Sequence, residues 1–168
     1  LFFSGQRPAV NVGLSVSRVG GSAQIKAMKR VSAPIRINLA QYRELAVFAQ
    51  FGSDLDKATQ DKLIQGERLV EIFKQSQHST LRVQDQVIIL YCATHKFLMD
   101  IPVRQVRKFN MELVKYINSH FPQVGEAIAR SGELETEAEE HLKEGIKEFK
   151  QEFMKNNRLQ EANAGRDK

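Results

Sequence analysis

A single cysteine, Cys92, rules out an intramolecular disulfide and any cysteine-based zinc site. It falls within residues 87–93, the longest uninterrupted apolar run, and reads as a buried hydrophobe. Seven residues are far too few to span a bilayer. The N-terminus lacks a charged start followed by an apolar core, so no secretory leader is expected. The chain opens on Leu1, in mid-pattern, and reads as a piece of a longer protein. Phosphate-cradling motifs are missing too: there is no G-x-x-x-x-G-K-[ST] and no G-x-G-x-x-G. His78, His95, His120 and His141 form no H-E-x-x-H and no i,i+4 pair, so no metal site is expected. No Ser-His-Asp order stands out. A self-contained enzyme is therefore not expected.

Acidic residues are scarce at the start, where Glu44 is the only one in the first fifty. Seven Lys/Arg face it there, a balance of +6, against +2 for residues 51–130 and −3 for residues 131–168. The overall +5 therefore comes from the first third. Such a segment implies an anionic partner: nucleic acid, a phosphate ligand or an acidic protein surface. The 168 residues suit one domain, or one domain plus a piece of another, and can bury a core without staples.

Residues 1–22 hold four of the ten glycines. Val10, Val12, Leu14 and Val16 alternate with polar or small residues, which predicts an extended segment ending at Gly20-Gly21. It cannot form a sheet alone, which again points to a larger domain. Beyond it the pattern turns helical. Residues 23–31 predict a short basic helix that Pro34 breaks. Residues 41–51 predict a second, apolar on Leu45, Phe48 and Ala49, stopped by Gly52. Ser53 with Asp56 opens a third through a capping-box pattern, with Leu55, Ala58, Leu69 and Phe73 inward. Residues 83–99 are apolar nearly all round and belong at the core centre. After Pro102 comes a stripe of Val103, Val106, Phe109, Leu113, Ile117 and Phe121. Residues 134–154 make the last long helix, with Ala138, Leu142, Ile146, Phe149 and Phe153 on one face and a Glu139–Lys143 pair on another. Residues 156–168 read as a frayed polar tail. The fold class is mainly α: an end piece of an α/β domain at residues 1–24, then a helical bundle at 25–155.

The stretch Arg7-Pro8-Ala9-Val10-Asn11-Val12-Gly13-Leu14-Ser15-Val16-Ser17-Arg18-Val19-Gly20-Gly21 carries the chemistry. An arginine beside two glycines suits reaching into a phosphate site, because guanidinium offers planar, bidentate, permanently charged donors. The same residues also read as a surface arginine beside a turn.

This stretch resembles the signature near the end of the nucleotide-binding domain in the alpha-subunit family of F-type ATP synthases. The resemblance continues through Leu39-Ala40-Gln41-Tyr42-Arg43-Glu44-Leu45 and Phe48 to Asp56, and returns at residues 69–77. Gln6, Ala33-Pro34 and His78 depart from the family pattern. The resemblance implies that Arg18 is an arginine finger, reaching in trans into the catalytic site of a neighbouring beta subunit. It implies that Ser15 supports that loop. Arg7 and Pro8 on one side, and Gln75 and Gln77 on the other, would flank the adenine of a second, non-catalytic nucleotide. ATP or ADP with Mg would then bind at sites completed by residues outside this chain, and the chain alone would have no activity. Residues 51–56 would contact a rotating central stalk, or simply cap a helix.

The implied partners are beta subunits in an alternating hexamer, the gamma subunit of the central stalk, and the peripheral stalk with its delta subunit. The implied place is peripheral, on the cytoplasmic face of a bacterial plasma membrane or on an organellar inner or thylakoid membrane. The alternative is a stand-alone basic helical module binding nucleic acid or phosphate. Against nucleic acid, the basic residues are diluted by apolar ones and carry no aromatic stacking set among them.

Overall fold

The computed structural model describes residues 8–12, 15–49, 55–76 and 79–164, with side chains to residue 157. Seven α-helices follow in order among them: α1 (Arg18–Ala23), α2 (Lys26–Ala49), α3 (Lys57–Ile72), α4 (Val83–Thr94), α5 (Val106–His120), α6 (Pro122–Ser131) and α7 (Thr136–Ala164). A 3-10 turn, Val103–Gln105, leads into α5. No described residue lies in a strand. No helix is long and apolar enough to cross a membrane among the described residues.

Helix α4 is the centre, as its all-round apolar pattern requires. Val87, Ile88, Tyr91 and Cys92 are fully buried between α2, α3, α5 and α6. The stripe read for α5 is the one buried: Val106, Phe109, Leu113 and Ile117 lose all contact with water. Helix α7 meets it with Leu142, Ile146, Phe149 and Phe153. The rings of Phe109 and Phe153 lie edge-on with centroids 5.0 Å apart, and Phe149 closes the group at 5.1 Å from Phe109. Burying each such ring contributes roughly 1.5–3 kcal/mol. Gly132 ends α6 at φ +70°, a left-handed cap that glycine adopts without a Cβ clash. Its carbonyl accepts from the Ala27 amide at 2.9 Å, and so ties the start of α2 to the α6–α7 turn.

Four local expectations need correction. Pro34 does not break a helix; α2 runs through it for 24 residues. An internal proline costs about 3 kcal/mol, because the Arg30 carbonyl loses its donor and meets the ring. Burial of Met28, Val31, Ile35 and Leu39 along one face outweighs that cost, and Pro34 itself lies on the exposed face. Of the apolar face read for residues 41–51, Leu45 is half-buried, while Phe48 is 62 % exposed and Ala49 is exposed. Of the inward face read for α3, Leu69 is fully buried, Leu55 and Phe73 are half-buried and Ala58 is exposed. At the other end, α7 continues to Ala164, past Asn156, where the sequence places a polar tail.

Helices α2 and α3 cross at Gly66, where an added Cβ would stand 2.3 Å from two atoms of Tyr42. Those atoms sit at the base of the Tyr42 ring, so the side chain has little room to yield. Gly66→Ala is expected to lower stability by about 1–3 kcal/mol, read as a lower urea midpoint. Gly21→Ala, with nothing within 4 Å, is the control and should change stability by no more than about 1 kcal/mol.

Candidate functional site

The segment before α2 carries the residues singled out above. It is not a strand. Residues 9–11 and 15–17 have no regular structure, and Arg18 begins α1 instead of ending an extended run. The reason is the one that makes an isolated strand unstable: no described residue offers it a ladder. Its backbone folds on itself, with the Val10 amide donating to the Pro8 carbonyl at 2.8 Å and the Ser15 amide to the Asn11 carbonyl at 2.9 Å. Ser17 then caps α1, its hydroxyl accepting from the Gly20 amide at 2.9 Å.

Two arginines on α2 hold the segment down. Arg36 donates to the Ser15 carbonyl at 3.0 Å, and Arg43 to the Asn11 Oδ1 at 2.6 Å. Seven residues apart, they lie on one face of α2. The sequence reading missed this pairing, although two arginines at that spacing with only Glu44 nearby was a visible signal.

The remaining cations of the first third are also engaged. Lys26 meets Glu133 at 2.5 Å, and this carboxylate raises the lysine pKa through its hydrogen bond. Lys29 donates to the Ser22 carbonyl at 3.3 Å. Arg30 bonds Glu139 at 2.7 Å and the Leu134 carbonyl at 3.2 Å. Arg18 differs. Its side chain is exposed, and its guanidinium bonds no other described residue; only its backbone carbonyl is used, by Ser22.

Ser15 and Arg18 therefore share one fastened segment. Ser15 lines a groove with Val12, Val16, Met28, Arg36 and Phe73, and Arg18 does not. Pro8 is exposed and lines neither that groove nor the one beside Gln75. The Gln75 side-chain amide donates to the Ser79 carbonyl, which leaves its Oε1 to accept. Arg7 and Gln77 lie outside the described residues, as do residues 50–54 of the expected stalk contact. Asp56, the described acid of that stretch, stands at the start of α3, and the Thr59 hydroxyl holds its carboxyl below the usual range. No group of three or more His, Cys, Asp or Glu could hold a metal among the described residues.

The family model described as ATP synthase alpha/beta chain, C terminal domain, matches residues 24–149. The chain belongs to this family. Its boundaries take in α2 to α6 and much of α7, while Arg18 and its segment lie before them. The chain is 65% identical over 158 residues to ATP synthase subunit alpha of Acetivibrio thermocellus, covering 94% of this chain and 31% of that protein. It is 56% identical over 154 residues to ATP synthase subunit alpha of Clostridium botulinum (strain Eklund 17B / Type B), covering 92% and 31%. With that of Caldanaerobacter subterraneus subsp. tengcongensis the figures are 53% over 153 residues, 91% and 30%. The chain thus spans about a third of the length of the curated relatives it matches.

Within the domain, Glu139 joins three helices. It takes hydrogen bonds from Tyr91 at 2.9 Å and Arg30 at 2.7 Å, and Lys143 stands 2.9 Å away. Burial pushes its carboxyl up, but Lys143, Tyr91 and Arg30 outweigh that and hold it below the usual range. As pH falls, the unfolded chain takes up the proton first, so this stability is present above about pH 4.3 and lost through the lower folded value. Burial, then Glu139, raises the Tyr91 hydroxyl, so its contribution holds below about pH 10 and is lost above. Glu139→Gln should cost about 1 kcal/mol at pH 7 and flatten the acid limb of a urea-midpoint curve. Parallel acid limbs in the two proteins would reject this account.

Proposed function

We propose that the chain is the C-terminal part of the non-catalytic alpha subunit of a rotary, proton-translocating ATP synthase. The observation that carries the reading is the distribution of positive charge. Among the described cations of the first third, every one but Arg18 is bonded to another residue, and Arg18 stands exposed on a segment fastened to α2. The likeness to ATP synthase alpha subunits, 65% identical over 158 residues in one case, supports the same reading.

In this reading Arg18 acts in trans on a nucleotide held by a neighbouring beta subunit. A bound nucleotide supplies the terminal phosphoryl group that is made or broken. A guanidinium bonds two of its oxygens at once and stabilises the charge they develop. Lysine, a point charge on a flexible stem, does not reproduce that fork. Ser15 and Arg36 keep the segment's backbone in place. Pro8, Arg7, Gln75 and Gln77 flank the adenine of a second nucleotide with bound Mg, where the free Oε1 of Gln75 suits the exocyclic amine. Helices α2 to α7 form part of a collar around the gamma subunit, with beta subunits on either side and the delta subunit at the peripheral stalk. The assembly lies peripherally on the membrane.

In the assembled complex, Arg18→Ala and Arg18→Lys should leave assembly intact and lower multisite turnover by about three orders of magnitude or more. Wild-type turnover in Arg18→Ala would reject the finger. Gln75→Ala combined with Gln77→Ala should speed loss of the tightly held non-catalytic nucleotide by about tenfold, with turnover little changed. Unchanged retention would remove both residues from that pocket.

A further inference from the structure

A second groove, of about 250 Å³, opens between the end of α3, the segment after it and α5. No residue of the Arg18 segment lines it; Gln75, placed above beside the adenine of the non-catalytic nucleotide, does. Its walls are apolar, from Ile72, Ile89 and Val114. Asn110 is set among them, only 5 % exposed, and its Oδ1 accepts no hydrogen bond. A buried carbonyl without a donor costs stability, and a water, an ion or a ligand can satisfy it.

The rim is positive. Glu71, the one acid that lines the groove, is neutralised by Lys74 at 2.5 Å. Arg107 donates to the Ser76 hydroxyl and has no carboxylate partner, and Lys115 has none either, among the described residues. An apolar interior, one unmet acceptor and two uncompensated cations define a complementary ligand. We propose that this groove binds a small amphiphilic carboxylate whose apolar body carries a hydroxyl or amide donor, such as an aryl hydroxy acid. The carboxylate sits between Arg107 and Lys115, and the body lies on Ile72, Ile89 and Val114. The donor meets Asn110, whose amide turns about χ2, a broad torsion, to present its oxygen. The volume falls just under the range of about 300–1,000 Å³ that holds drug-sized molecules, so the ligand is smaller than those.

The test is an amide-resolved NMR titration of the 168-residue chain with 3-(4-hydroxyphenyl)propanoate, beside two analogues. One, 3-phenylpropanoate, lacks the donor; the other, 4-propylphenol, lacks the charge. Saturable shifts confined to the end of α3, residues 74–81 and α5 are expected, with each analogue about tenfold weaker. Arg107→Ala with Lys115→Ala, both at exposed positions, should weaken the two carboxylates about tenfold and leave 4-propylphenol unchanged. Val114→Phe should fill the groove and abolish binding; if it does not fold, the exposed double variant decides the matter. No saturable shift up to about 10 mM would overturn the proposal. Equal binding of all three compounds, or shifts scattered over other helices, would overturn it too.

Discussion

Helix α4 packs against α2, α3, α5 and α6, so each polar group on its buried faces must find a partner within the bundle. Unmet, such a group costs about 1–3 kcal/mol. Asp85 is met by Arg82 at 2.8 Å and by Asn118 of α5 at 3.1 Å. The Tyr91 hydroxyl crosses to Glu139 of α7 at 2.9 Å. Thr94 returns its hydroxyl to the Leu90 carbonyl at 2.8 Å, and His95 stacks on Tyr91 with centroids 3.8 Å apart. Apolar packing alone would let neighbouring helices slide and rotate by a fraction of a turn. These directed bonds select one arrangement of α5 and α7 around α4.

The same junction fixes α2. Glu139 takes Arg30 as well as Tyr91, and the Ala27 amide bonds the Gly132 carbonyl. The first half of α2 is thereby attached to both ends of the α6–α7 connection. The second half is attached differently, by the close crossing of Tyr42 over Gly66. Between the two attachments lies Pro34, which removes one hydrogen bond but leaves the buried face unbroken. A helix held at both ends tolerates a defect that would end a free one.

That contrast separates what was legible in the sequence from what was not. The faces of α5 and α7 were legible, because Val106 to Ile117 and Ala138 to Phe153 repeat at helical spacing and only one surface can be buried. The central place of α4 followed from its lack of a polar face. Pro34 misled, since local propensity makes it a stop and only the packing of Val31, Ile35 and Leu39 overrides it. Phe48 misleads as well: an apolar residue in a helical stretch suggests core, and its neighbours leave it exposed. Arg18 stood out through its sequence neighbours. The clamp of Arg36 on Ser15 and Arg43 on Asn11 did not, because it joins residues 21 and 32 positions apart. Asn110 was equally hidden: an asparagine inside an amphipathic stripe gives no sign that its oxygen lacks a donor.

Fastening has a consequence for Arg18. No described residue offers its segment a sheet, and α2 fastens it through one hydrogen bond from each of two guanidinium groups. Each bond is directional, and the two arginines sit on one face of a helix that is itself tied to α6, α7 and α3. Ser17 then sets the first turn of α1, and with it the direction in which Arg18 leaves the backbone. An exposed long side chain wanders unless its base is fixed, and the entropy lost on engaging a partner falls as the base is held more firmly. On the proposed reading, the bundle does more than form a collar. By holding α2 it holds the root of the finger, so a displacement of the helical domain carries Arg18 with it.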